Sequence, residues 1–362
     1  MSDLENKVHR LIRPEVLASG AYSVLDAHGM IKLDAMESPF SWPPAIKQGW
    51  LEVLRNVEVN RYPDTDPQRL KQRLADAMGV PSDMAVLLGN GSDELIQIML
   101  LALARPEACV LAPVPTFVMY EVIAKAVGMD FVGVPLGPDF ALDAAATGEA
   151  IERYQPAVIF IAYPNNPTGN LFAADIVEGI IRQAKGLVVI DEAYFAFTDT
   201  SFMDYLARYD NLLVLRTVSK MGLAGLRLGL LAGAPCWLTE FNKVRLPYNV
   251  NSLTQASIEF AVVNREFFDR QTAQIRAERA RLYEELASIS KVQVWASETN
   301  FILFRIHDRD ATQVFERLCA AGVLVKNLDR SGGTLRGCLR VTVGTAQEND
   351  AFLAALKRAI SV

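Results

Sequence analysis

Four stretches of the chain are almost continuously apolar: "ACVLAPV" (108–114), "AVIFIAY" (157–163), "GLVVID" (186–191) and "NLLVLRTV" (211–218). Such runs predict short strands covered on both faces. Segments of helical spacing lie among them. "DPQRLKQRLADAMG" places Asp66 as N-cap, Pro67 in the first turn and Gly79 just past the end. "SDELIQIMLLALA" is a mostly apolar helix opened by Ser92. Strands separated by helices predict right-handed βαβ units, hence an α/β fold with a mainly parallel sheet between helices. After Asn251 the pattern changes. One long charged helical stretch is expected over 252–288, then "NFILFRI", a helix near 311–321, "VLV", "CLRVTVG", and a closing helix capped by Thr345 and Glu348. The expected organisation is a large α/β domain over 40–255 and a smaller α+β domain from 1–39 and 256–362. The helical stretch would be the joint, since no Pro/Gly/Ser-rich linker, internal repeat or low-complexity segment occurs.

Composition narrows the classes of function. With 362 residues, 51% hydrophobic and 22% charged, the chain can bury a large core. A formal net charge of -6 offers no basic face to nucleic acid or to an anionic membrane. The opening "MSDLENKVHRLIRP" has no apolar core of a secretory signal, and no run approaches a membrane span, so a cytoplasmic protein is expected. Cys109, Cys236, Cys319 and Cys338 are far apart and form no CxxC, which fits reduced thiols and neither a disulfide framework nor a zinc site. Only His9, His28 and His307 could serve a histidine-based hydrolase or metal site, and none has a recognisable setting. Neither GxGxxG nor GxxxxGK[ST] is present.

The chemistry gathers where strands end. In open parallel sheets ligands bind outside the carboxyl ends of the strands. There the chain carries "PNNPTG" (164–169), "DEAY" (191–194) and "SK" (219–220), with "GNGSDE" (89–94) before a helix. Singly these could be a turn, a helix cap, a solvated lysine and a loop. Together they place an amide, a carboxylate, an amine and an anion-ready helix start on one rim.

The set "GNGSDE … YPNNPTGN … VIDEAY … SKMGLAGLRLG" resembles the fold-type I aminotransferases dependent on pyridoxal 5'-phosphate (PLP), and among them the histidinol-phosphate aminotransferases. The resemblance runs over nearly the whole chain, including "RYPD" (61–64), "PYNVNSLTQ" (247–255) and "CLRVTVGTAQEN" (338–349). It implies that Lys220 bonds the cofactor aldehyde and shuttles protons, while Asp191 keeps the pyridine nitrogen protonated so the ring can accept electrons. Asn166 and Tyr194 would meet the phenolic oxygen, and Phe117 would stack on the ring. Gly91, Ser92 and Asp93 at the helix start, with Ser219 and Arg227, would receive the phosphate. Tyr62 would reach the cofactor of a neighbouring subunit, which implies a homodimer. Arg340, assisted by Tyr22 and Lys326, would bind the substrate anion. The implied reaction converts L-histidinol phosphate and 2-oxoglutarate into imidazole-acetol phosphate and L-glutamate, a step of histidine biosynthesis, in ping-pong fashion.

Three departures bear on the amino donor. "MESP" (36–39) stands where relatives often have "NENP", Lys326 replaces an arginine, and the segment from Lys220 to Arg227 is one residue shorter than in many relatives. None touches the cofactor set. They leave an aromatic amino-acid aminotransferase or an amino-acid-phosphate decarboxylase as alternatives within the fold. A non-catalytic regulatory protein is disfavoured by the intact Lys220, Asp191 and Arg227.

Overall fold

The structure is a computed structural model that describes residues 2–18, 20 and 25–361. Its strands, in chain order, are β1 (Ile31–Leu33), β2 (Ala85–Gly89), β3 (Cys109–Val114), β4 (Asp130–Pro135), β5 (Val158–Ala162) and β6 (Leu187–Asp191). They continue with β7 (Leu212–Thr217), β8 (Gly229–Gly233), β9 (Val292–Val294), β10 (Phe301–Ile306), β11 (Val323–Asn327) and β12 (Cys338–Thr342). A seven-stranded sheet has the order β2-β8-β7-β6-β5-β3-β4. Only β8 runs antiparallel to its neighbours. A second sheet has the order β1-β11-β12-β10-β9, with β1 parallel to β11 and the remaining pairs antiparallel.

The four apolar runs are β3, β5, β6 and β7, adjacent at the centre of the large sheet. Their residues divide by alternation. Ile159, Ile161, Val188, Ile190 and Val214 enter one core, whereas Val158, Phe160, Leu187, Val189, Leu213 and Leu215 enter the core on the opposite face. Both faces are covered, so apolar residues at consecutive positions all find partners. The strands β1, β2, β4, β8 and β9 lie outside the runs named above; β8, "GLLAG", is bounded by glycines.

Helix boundaries show two differences from expectation. The helix Gln68–Met78 has Pro67 rather than Asp66 as its N-cap, because the Asp66 carboxylate is taken by the side chains of Gln68 and Lys71. Gly79 ends it in the left-handed conformation, φ 67°, as expected. The long helical stretch is two helices, Ser252–Val263 and Arg265–Ala287, broken at Asn264. The first packs on the helices Pro44–Leu54 and Gln68–Met78 of the large layer. The second begins with Phe268 in that same core and continues with Ile275, Leu282 and Leu286 in the core of the small sheet. It links the two cores through one rigid element. At the closing helix Ala346–Ser361, the Glu348 amide donates to the Thr345 hydroxyl, and the Glu348 carboxylate accepts from the Thr345 amide at 2.8 Å.

Candidate active site

The carboxyl ends of β5, β6 and β7 open on a cavity of about 100 Å³ lined by Ser92, Asp93, Phe117, Asn166, Asp191, Tyr194, Ser219, Lys220 and Arg227. A wider cavity of about 640 Å³ adjoins it, shares Asp93, Phe117 and Lys220, and adds Lys326 and Arg340. The fold thus brings the separated motifs to one place. Tyr62 is not among them: it is 80% exposed and stacks on Tyr248 with ring centroids 4.4 Å apart. Tyr22 lies outside the described residues.

One end of the cavity is built to take an anion. The helix Ser92–Leu103 starts after Gly91, which has φ 89° and gives no side-chain cap, so the first amides remain available as donors. Arg227 lies across this start. A Cβ on Gly91 would fall 2.6 Å from Arg227 Nη2, and one on Gly229 would fall 2.6 Å from the amide nitrogen of Ser92. Glycine at both positions lets β8, the helix start and the guanidinium close in. Arg227 Nη1 donates to Ser219 Oγ at 3.5 Å, and Nη2 stands 3.7 Å from an Asp93 carboxylate oxygen.

At the other end stands a buried carboxylate. Asp191 closes β6 and is 4% exposed. Oδ2 accepts from the Tyr120 hydroxyl at 2.7 Å, and Oδ1 accepts from the Ala193 amide at 3.0 Å. Burial pushes its pKa up to about 6, against the opposing pull of those two hydrogen bonds. Lys220 follows β7 in a short 3-10 turn, with its amine 5.8 Å from the centroid of the Tyr194 ring. Desolvation, with the positive charge of Arg340 second, lowers its pKa from 10.5 to about 8, while the carboxylates of Asp93 and Glu37 act in the opposite direction. The amine is therefore far closer to its neutral, proton-accepting form at physiological pH than an exposed lysine.

A hydrogen-bonded chain joins the cavities. Arg340 Nη1 donates to Asn166 Oδ1, and Asn166 Nδ2 donates to the Tyr194 hydroxyl at 3.1 Å. Arg340 Nη2 also donates to the Asp34 carbonyl at 3.1 Å. Burial raises the Tyr194 pKa, with the Arg340 charge opposing. Lys326 sits directly opposite Arg340 across the β11–β12 ladder, so both project from the same face of the small sheet. Like charges in that register repel unless an anion lies between them.

The residues fit the cofactor that the sequence resemblance implies. A cradle of amide, hydroxyl and guanidinium donors suits a phosphate, a buried carboxylate suits a protonated ring nitrogen, and a desolvated amine suits an aldehyde. Residues that sequence reasoning missed support these groups. Tyr120 lies three positions after Phe117, on the same side of the helix Met119–Val127 and its lead-in, and this spacing was the available signal. Glu192, on the opposite side of the strand from Asp191, forms a buried pair with Arg216, 2.9 Å from Nε and 2.7 Å from Nη2. An arginine inside the apolar run "NLLVLRTV" called for such a partner.

A mainly parallel sheet whose strand ends gather an anion cradle, a buried carboxylate and a desolvated lysine fits an enzyme that works through a phosphate-bearing cofactor. The chain belongs to the aminotransferase class I and II family, whose model matches residues 28–356. It is 53% identical over 353 residues to histidinol-phosphate aminotransferase 2 of Nitrosococcus oceani, covering 98% of each chain. It is 51% identical over 353 residues to histidinol-phosphate aminotransferase 2 of Cupriavidus pinatubonensis, covering 96% of each. The fold also matches the histidinol-phosphate aminotransferase of Sinorhizobium meliloti in complex with pyridoxal-5'-phosphate, with a TM-score of 0.85, 23% identity, and 97% and 98% of the two chains covered. Among the described residues no helix is long and apolar enough to cross a membrane.

Proposed function

We propose that this chain uses pyridoxal 5'-phosphate to transfer the amino group of L-histidinol phosphate to 2-oxoglutarate, giving imidazole-acetol phosphate and L-glutamate in histidine biosynthesis. The observation that carries the substrate assignment is the cross-strand pair of Lys326 and Arg340, set on the same cavity as Lys220. A phosphate dianion meets that doubled charge better than a carboxylate does, and the relatives with about half of their residues identical bear the name of this activity.

The cofactor, when bound, supplies an aldehyde that bonds an amine and a ring that accepts electrons. The chain's own residues do the rest. The Ser92 amide, the Ser219 hydroxyl and the Arg227 guanidinium hold the phosphate, with Asp93 beside the guanidinium. The Gly91 amide, contrary to expectation, is already donated to the Gly89 carbonyl at 2.8 Å, so Gly91 contributes the room of its turn. Asp191 holds the ring nitrogen and its proton. Asn166 and Tyr194 offer donors to the phenolic oxygen, and Phe117 covers the ring. Lys220, its pKa lowered to about 8 so that the neutral amine is within reach, takes a proton from the substrate carbon and returns it. Arg340 orients either substrate by its anionic end. Because both substrates use that arginine, they bind in turn, and the kinetics are ping-pong.

The division into a large and a small domain is part of this proposal, with the helix Arg265–Ala287 as the joint. So are a cytoplasmic location and a homodimer in which Tyr62 reaches the partner's cofactor phosphate; its high exposure supports a role outside its own cavity. Tyr22 is proposed to assist Arg340. Single-turnover and steady-state assays with a panel of donors test the substrate reading. Histidinol phosphate is expected to give the highest kcat/KM, and a higher value for phenylalanine or tyrosine would replace it with the aromatic reading.

A further inference from the structure

We propose that Tyr120 is a positioning residue for Asp191, fixing the orientation of that carboxylate and holding it ionised behind the cofactor ring. The inference rests on the assignment of Asp191 to the ring nitrogen made above. Tyr120 is fully buried. Its ring stacks on Phe160 with centroids 4.7 Å apart and planes at 11°, and meets Phe117 edge-on at 5.5 Å and 84°. Held on a face and an edge, the ring has no room to swing, so its hydroxyl is committed to Asp191 Oδ2 at 2.7 Å. The Ala193 amide fixes the other oxygen, and the carboxylate plane is set by two donors from different elements.

The surroundings show why such donors are needed. Burial disfavours the charged form of Asp191, and the carboxylates of Asp93 on the helix Ser92–Leu103 and of Glu192 beside it act in the same direction. Glu192 is largely neutralised by Arg216 on β7. Tyr194 also faces the pair, and its buried phenol carries no charge to help. None of these leading influences on Asp191 is a cation. Hydrogen bonds from Tyr120 and Ala193 are what favour ionisation, and a carboxylate must be ionised to keep a ring nitrogen protonated. Phe117, proposed to cover that ring, touches the same tyrosine, so a single side chain supports both the carboxylate and the stacking residue.

The test compares the parent apoprotein with Tyr120→Phe, using isotope-edited infrared spectroscopy to follow Asp191, with Asp191→Asn as the blank. Removing a donor to a charged group is expected to raise the protonation midpoint by about one to two pH units. Phe160→Leu disturbs the same packing without touching the hydrogen bond and is expected to leave the midpoint in place. In the PLP-loaded protein, Tyr120→Phe is expected to lower kcat at least tenfold with little change in KM, and to shift the pH dependence of the visible absorbance. An unmoved midpoint in Tyr120→Phe, or an equal movement in Phe160→Leu, would overturn the proposal. Full turnover by Asp191→Asn would instead overturn the role of Asp191 beneath it, a result separate from the midpoint.

Discussion

The guanidinium of Arg340, on the small sheet, donates to the side-chain oxygen of Asn166, which lies past the end of β5 in the large sheet. The two residues are 174 positions apart, and both are buried. This bond ties the proposed substrate-binding residue to the proposed cofactor set, so a change at Arg340 should be felt at both.

Arg340→Ala is therefore expected to reduce kcat/KM for histidinol phosphate and for 2-oxoglutarate alike. Losing one partner of a desolvated, charge-assisted pair costs about 2–5 kcal/mol, or roughly 30-fold to several-thousand-fold. Steady-state kinetics with each substrate varied in turn provide the check. A loss confined to one substrate would contradict the shared use of this arginine.

Lys326→Ala should discriminate where Arg340→Ala does not. The additional charge is on the phosphate substrate, so its kcat/KM should fall several-fold further than that of 2-oxoglutarate. Equal losses for the two would remove the phosphate role from Lys326.

Lys220 makes a pH prediction whose sign follows from its lowered pKa. Its folded value, about 8, lies below the ordinary 10.5, so between those values the unfolded chain binds more protons than the folded one. The group costs stability below pH 8, and that cost disappears as pH rises from 8 to 10.5. Lys220→Met should thus stabilise the apoprotein at pH 7 and lose that advantage by pH 10.5, as measured by denaturant unfolding at both values. In the parent, the rate of PLP attachment should rise through pH 8 and then level off, and borohydride reduction should leave the cofactor on Lys220. Mass mapping to another lysine would refute the assignment.

Asp191→Asn should retain most PLP affinity, because the phosphate cradle and Lys220 remain, while turnover falls by orders of magnitude. Equilibrium dialysis and kcat on the same preparation separate the two effects. Turnover within a few-fold of the parent would show that the ring nitrogen does not depend on this carboxylate.

The pair behind the site is a stability element. Arg216 is 5% exposed and Glu192 1%, and Arg216→Met strands the carboxylate with only Ser201 and the Phe202 amide as partners. About 3–5 kcal/mol of unfolding free energy should be lost. Urea titration of the apoprotein measures it, and the double variant Arg216→Met with Glu192→Leu should recover part of the loss.

The sequence by itself determined the central strands, the motifs at their ends and the family. Apolar runs of roughly five to eight residues bounded by turn signals suit strands covered on both faces, and the glycine, asparagine and lysine at their ends stand out locally as candidate chemistry. Covalent neighbours carry that information, so no third dimension was needed to read Lys220, Asp191 or Arg227. The flanking strands β2, β4 and β8 were not legible, because each carries glycine that dilutes its apolar run, and they gain strand character from pairing with the centre. The break at Asn264 was hidden for a similar reason: residues on both sides favour helix, and packing of the first helix on the large layer decides where the chain turns. Tyr120, the Glu192 and Arg216 pair, and the Arg340 to Asn166 bond are decided by tertiary structure alone. Each joins residues remote in sequence, and only burial, by removing water as a competing partner, makes those contacts strong enough to set the charge of the site.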